Sequence, residues 1–121
     1  MIITKEHLRN NLNHMFCFGD NLLRRGYAGA ASLRDEPNAY GFITKKAPNN
    51  NDKSFYRLEE YQSIFNMELR KLQRYIIDCP NYIWLISKLG SGLANRYYIF
   101  ENIIDPGLKI LNKYNNVKFL Y

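Results

Sequence analysis

Met15-Phe16-Cys17-Phe18-Gly19-Asp20-Asn21-Leu22-Leu23-Arg24-Arg25-Gly26-Tyr27-Ala28-Gly29-Ala30 is the stretch from which the rest of the chain can be read. A short apolar run over residues 15–18 predicts a buried strand. The glycines that follow let the backbone take positive φ and approach a ligand closely. A second stretch repeats the plan. Tyr82-Ile83-Trp84-Leu85-Ile86-Ser87 predicts another strand, and Lys88-Leu89-Gly90-Ser91-Gly92-Leu93-Ala94-Asn95-Arg96 turns after it. Successive N–H groups at such turns form a cradle for anions. Two of them in one small chain predict a pocket for a diphosphate or a nucleotide. Their spacing fits neither the Walker A loop nor the dinucleotide fingerprint.

On either side of the first stretch, residues 5–13 predict a short helix and residues 28–35 a helix opened by the first turn. Pro37-Asn38 breaks it. Tyr40-Gly41-Phe42-Ile43-Thr44 is the next strand, and Ala47 to Ser54 is a polar loop expected to be mobile. Tyr61, Ile64, Phe65, Leu69, Leu72, Tyr75 and Ile76 recur at helical period within Leu58 to Ile77, and Pro80 ends that helix. Tyr97 to Ile104 reads as helical. Asp105-Pro106 then reads as the restart of a helix, with Asp as N-cap and Pro at the first helical position. Val117 to Leu120 is the last strand. Strands alternating with helices predict an α/β fold with a mostly parallel central sheet and helices on both faces. In such sheets ligands bind beyond the carboxyl ends of the strands. Both glycine turns and the Lys45-Lys46 pair fall at that edge.

A length of 121 residues predicts one domain spanning the chain. No run is apolar enough to span a bilayer, and the first seven residues lack the apolar region of a signal peptide. Cys17 and Cys79 have no metal-binding spacing and read as free buried thiols of a reducing cytoplasm. Neither a metal nor an organic cofactor is called for. The formal net charge of +6 fits an anionic small molecule or nucleic acid. Arg24, Arg25, Lys45, Lys46, Lys88 and Arg96 cluster at strand ends rather than in a tail or a helical stripe, which favours the small molecule. The ten Tyr and seven Phe permit a homodimer without demanding one.

At these residues the chain resembles the macrodomain superfamily, α/β modules that bind ADP-ribose. Asn21 and Gly26-Tyr27-Ala28-Gly29-Ala30 resemble the macrodomain loop that opens a helix. Gly90-Ser91-Gly92-Leu93 resembles its phosphate-binding loop. Ile43-Thr44-Lys45-Lys46 is similar to the terminal ADP-ribose protein glycohydrolases, the branch that removes ADP-ribose from acidic side chains. The resemblance implies a macrodomain-like sandwich and a pocket for an ADP-ribose-type nucleotide. It implies ligand contacts at Asn21, Arg25, Gly26, Gly29, Ala30, Thr44, Lys46, Lys88, Gly90, Ser91, Gly92, Leu93, Ala94 and Asn95. The hydrolytic branch carries aspartate just after its Gly-x-Gly-Leu, where this chain has Ala94, and the amide of Asn95 cannot act as a base. Binding without turnover is therefore the first expectation. Hydrolysis is the alternative, with Asp20 activating a water or Lys45 or Lys46 attacking the anomeric carbon. Gly-Asp-Asn, Arg-Arg-Gly, Pro-Asn-Ala-Tyr-Gly and Thr-Lys-Lys in this order also resemble small uncharacterised proteins of phages and bacteria. There a binder would sequester a defence signal derived from NAD, in the host cytoplasm. A basic nucleic-acid module is the third reading.

Some single residues stay open. Asp20-Asn21 suit ribose hydroxyls, or an Asx turn. Tyr27, Phe42 and Tyr97 suit stacking on a base, although Phe42 equally suits the core. His7 and His14 lack the neighbours of a triad or a metal site.

Overall fold

Phe16 and Phe18 enter one hydrophobic core and Cys17 between them enters another, as period-two alternation requires of a central strand. The computed structural model describes residues 2–121. Four strands, β1 (His14–Asn21), β2 (Ala39–Lys45), β3 (Ile83–Ile86) and β4 (Val117–Phe119), form one sheet in the order β2-β1-β3-β4. Every pairing is parallel, with Phe16 opposite Ala39 on one side and Leu85 on the other, and Leu85 opposite Lys118. Helix α1 (Lys5–Asn10) and a 3-10 turn (Gly29–Leu33) cover one face through Leu8 and Leu33, with Ile3, just ahead of α1, beside them. Helix α2 (Leu58–Asp78) covers the other through Tyr61, Phe65, Leu72 and Ile76. A helical stretch from Phe100 to Lys113, with α3 (Asp105–Leu108) at its centre, joins α2 on that face through Ile103, Ile104, Leu108 and Leu111. The expected α/β class with a parallel sheet is what the chain forms.

Three elements differ from expectation. The segment read as a helix over 28–35 is a single 3-10 turn. Gly29 enters it at φ +59, and Pro37 leaves no room to continue. Helix α1 ends at Asn10 rather than residue 13. Asp105 is no N-cap, because its backbone is already helical at φ −60 and ψ −51. Residues 100–104 make a π-turn, in which the Asp105 N–H donates five residues back to the Phe100 carbonyl. Pro106, lacking an N–H, follows inside the helix. Cys17 is buried as expected, and burial pushes its thiol up; Cys79 is partly exposed. Among the described residues, no helix is long and apolar enough to cross a membrane.

Strand β2 lies at the border of the sheet, and several of its outward backbone groups are taken up by side chains and by a backbone bridge from elsewhere in this chain. Glu68, on the buried stripe of α2 and 2% exposed, accepts the Ile43 N–H at 2.7 Å. The Tyr61 hydroxyl donates to the Ile43 carbonyl. Arg24 donates to the Gly41 carbonyl at 2.8 Å, and Lys45 is bridged by Phe55.

At the amino end of the sheet, His7 Nε2 and His14 Nδ1 lie 2.9 Å apart, a bond that needs one ring to donate and the other to accept. Desolvation, His7 and Lys118 lower the His14 pKa. A lowered folded-state value means stability that is present above the unfolded pKa and is lost as pH falls through the folded one. The thermal midpoint should therefore drop as pH falls below about 6.5. His14→Asn should flatten that drop; an identical pH profile in the variant would exclude the pair as its source.

Candidate functional site

The strand order reverses direction between β1 and β3, and the crevice at their carboxyl ends is where the two glycine turns meet. A Cβ built on Gly19 would lie 3.2 Å from Thr44 Oγ1, crowding it, and at contact distance, 3.6 Å, from the Gly90 nitrogen, so the two turns meet closely here. The register of β1 against β2 slips between Asp20 and Asn21, which swings the first turn out over the crevice. A cleft of about 560 Å³ opens there. It is walled by the first turn, by Thr44 and Lys45 at the end of β2, by Pro48 and Asn50 of the polar loop, and by the second turn.

Most of the residues singled out from sequence line this cleft: Asp20, Asn21, Arg25, Gly26, Gly29, Ala30, Thr44, Lys45, Lys88, Gly90, Gly92, Leu93 and Ala94. Lys46, Ser91 and Asn95 do not. Lys46 is drawn away by a 2.7 Å ion pair with Glu60 and lies over the Tyr56 ring. The Ser91 hydroxyl donates to the Lys88 carbonyl within its own turn. Asn95 donates to both Glu101 oxygens and accepts the Phe100 N–H, capping the helical stretch behind it. Of the aromatics, Tyr27 lines the cleft, with its hydroxyl on Asp35. Phe42 is core, packed against Phe65. Tyr97 is held by Asp52 and by the Arg57 guanidinium over its ring.

The side chains at the floor are already committed. Asp20 is 4% exposed and receives a fork from Arg34, with Nη1 to Oδ2 at 2.9 Å and Nη2 to Oδ1 at 2.6 Å. Arg24 adds a contact at 3.2 Å and the Asn21 N–H another at 2.8 Å. A carboxylate so surrounded by donors has no lone pair to offer as a base. The Asn21 amide donates to the Arg25 carbonyl at 2.7 Å and accepts the Leu23 N–H at 3.1 Å, the Asx-type bonding that stabilises a turn. Arg34 also donates to the Gly26 and Arg25 carbonyls, so one guanidinium ties Asp20 to the first turn. The sequence held no local cue for this role: Arg34 lies 14 residues from its partner, in a segment read as a helix face.

The remaining cations are uncommitted to acids. Arg25, Lys45 and Lys88 line the cleft, and none forms an ion pair among the described residues. Lys88 lies 5.2 Å from the Phe100 ring centre. Lys45 donates to the Asn49 carbonyl, and desolvation with the nearby Arg96 lowers its pKa. The glycines divide by role. Gly90 sits at φ +73 and Gly26 at φ +95, in the left-handed region that favours glycine; Gly92, at φ −89 and ψ −129, has open space around it. A second cavity of about 370 Å³, walled by Ile2, Phe16, Leu33, Leu120 and Tyr121, shares Gly29, Ala30, Ser87 and Lys88 with the first.

No curated protein and no solved structure matches the chain. Residues 1–96 match the model of a family of unknown function, DUF7831, and this span holds both glycine turns and every residue lining the larger cleft. The chain belongs to the DUF7831 family of unknown function.

Proposed function

We propose that the cleft binds an ADP-ribose-type or other NAD-derived nucleotide and holds it without turnover. One observation carries the reading: the cleft is lined by four cationic side chains and a single carboxylate, and that carboxylate is neutralised by Arg34. Arg25, Lys45 and Lys88 are left to meet a multiply charged anion, and Lys88 does so beside the glycine-rich second turn. Shape supports the same ligand. A charged cleft joined to a largely apolar annex suits a phosphate-bearing molecule with a flat, apolar end. The macrodomain resemblance adds to this reading. In a phage or bacterial setting such a binder would sequester a nucleotide signal. The basic residues support nucleic-acid binding less well, since Arg24, Arg34, Lys46, Arg57 and Arg96 are engaged with carboxylates.

Calorimetry with ADP-ribose, its cyclic isomers and linear dinucleotides tests the proposal, and absence of heat with all of them would end it. Lys88→Ala should weaken a diphosphate-containing ligand by about tenfold while leaving its nucleoside nearly unchanged. Equal losses for both would assign Lys88 a role in shape instead.

A second reading, hydrolysis, draws on the lowered pKa of Lys45, which raises the share of nucleophilic amine at the cleft wall. Against it stand Ala94 and the saturated Asp20. Mass spectrometry of an ADP-ribosylated protein incubated with this chain decides between them. Full retention of the modification beside tight nucleotide binding favours the binder.

A further inference from the structure

The polar loop reaches from one glycine turn to the other. At its near end, Pro48 sits against the first turn: a Cβ on Gly26 would lie 3.3 Å from Pro48 Cβ. At its far end, Asp52 reaches the second turn, taking the Tyr97 hydroxyl and Arg96 at 3.3 Å, with Arg57 at 3.5 Å. Between these points Pro48 and Asn50 form part of the cleft wall.

Both roots of the loop are fixed. The Lys46 N–H donates to the Ser54 carbonyl at 2.8 Å, and Phe55 is buried with Lys45 and Arg96 against its ring. The span between the roots is different in kind. Residues 48–53 are all exposed, so no apolar side chain anchors the span to a core. Its bonds to the rest of the molecule are polar: Lys45 on the Asn49 carbonyl, the Ser54 hydroxyl on Asn49 Oδ1 and the Ser54 N–H on the Asn51 carbonyl at its own root, and the Asp52 cluster, which alone reaches the second turn. Hydrogen bonds from Tyr97 first, then Arg96, hold the Asp52 carboxyl below its ordinary range. Exposed segments without apolar anchorage open at low free energy, while their buried roots stay closed.

We propose that residues 47–53 form a gate over the cleft and that Asp52 is its latch. Closed, the gate bridges the two turns. Breaking the Asp52 contacts frees the span to swing about its fixed roots and widens the entrance between Pro48 and Leu93. The proposal rests on the cleft and not on the identity of its ligand.

Two measurements on the full chain test it, neither of which needs a ligand. In amide hydrogen exchange, Asp52→Asn and Asp52→Ala should speed exchange over 47–53 by roughly tenfold and leave β1, β3 and α2 unchanged. In a Cys79→Ser background, Ala94→Cys places a thiol in the cleft. Its labelling by a bulky anionic thiol reagent should accelerate by a similar factor when Asp52→Asn is added. Unchanged exchange over 47–53 in both variants overturns the latch. Faster exchange with unchanged labelling overturns the gate. A rise spread over the sheet and α2 also overturns the proposal, since it makes Asp52 a general stabiliser. ADP-ribose kinetics then extend the test: association and dissociation should both quicken in Asp52→Asn. Absence of ADP-ribose binding would count against the nucleotide reading alone.

Discussion

Gly90→Ala is expected to lower the stability of the protein by about 3 kcal/mol, combining a left-handed backbone in a non-glycine residue with overpacking of the core. Gly90 sits at φ +73, and a Cβ there would fall on Ile104 Cδ1, a fully buried atom group of the helical stretch behind the second turn. Neither neighbour can retreat cheaply. The backbone is held by the turn, and Ile104 is fully buried in the core that also holds Ile99, Ile103 and Leu108. The thermal midpoint should fall by roughly 10–15 °C. Gly92→Val provides the contrast. Nothing lies within 4 Å of a Cβ at Gly92, but its backbone at φ −89 and ψ −129 falls outside the regions a β-branched residue favours, so Gly92→Val should fold at a cost of about 1–2 kcal/mol, less than Gly90→Ala. The added side chain stands in the cleft, however, and nucleotide binding should be lost. A Gly90→Ala variant that melts with the parent would show the turn to be plastic. A Gly92→Val variant that binds normally would move the ligand away from it.

Arg34→Ala should cost a comparable amount, about 3 kcal/mol, because it strands a buried carboxylate. The Asp20 side chain is 2% exposed; its remaining cationic partner, Arg24, is 49% exposed and meets only one oxygen, at 3.2 Å, which leaves the Asn21 N–H as the other donor. Urea denaturation should show the midpoint falling at constant slope. Arg34→Lys should recover only part of the loss, since an ammonium cannot reproduce the two-pronged contact or reach the Gly26 and Arg25 carbonyls together. Adding Asp20→Asn to Arg34→Ala should return some of the stability, because the stranded charge is then gone. Simple additivity of the two substitutions would mean that they do not act as a pair.

The sheet was legible in the sequence and the floor of the cleft was not, for physical reasons. Apolar runs at 15–18, 40–44 and 82–87 announce strands because burial on both faces demands it. The reading stops β1 at Phe18, whereas the strand continues through Gly19, Asp20 and Asn21. Residues of that kind signal turns unless a distant partner pays for their burial, and the partner, Arg34, is invisible to local pattern. Lys46 was expected to contact the ligand; Lys45 lines the cleft instead, and Glu60 turns Lys46 away. Glu68 sits on the apolar stripe of α2, where periodicity predicts a hydrophobe. Its reason for being there, the Ile43 N–H, belongs to another element 25 residues away.

The groups that occupy Gly41, Ile43 and Lys45 along the outer backbone of β2, three side chains and the Phe55 backbone, also bear on how copies of this protein meet. A bare border strand is a template on which a second chain can crystallise its own strand, the first step of fibrous assembly. Here that template is spent from within, by Arg24, Glu68, Tyr61 and Phe55. Sheet growth is thereby polarised: lateral recruitment is left to the far border, where β4 offers only the three residues Val117–Phe119.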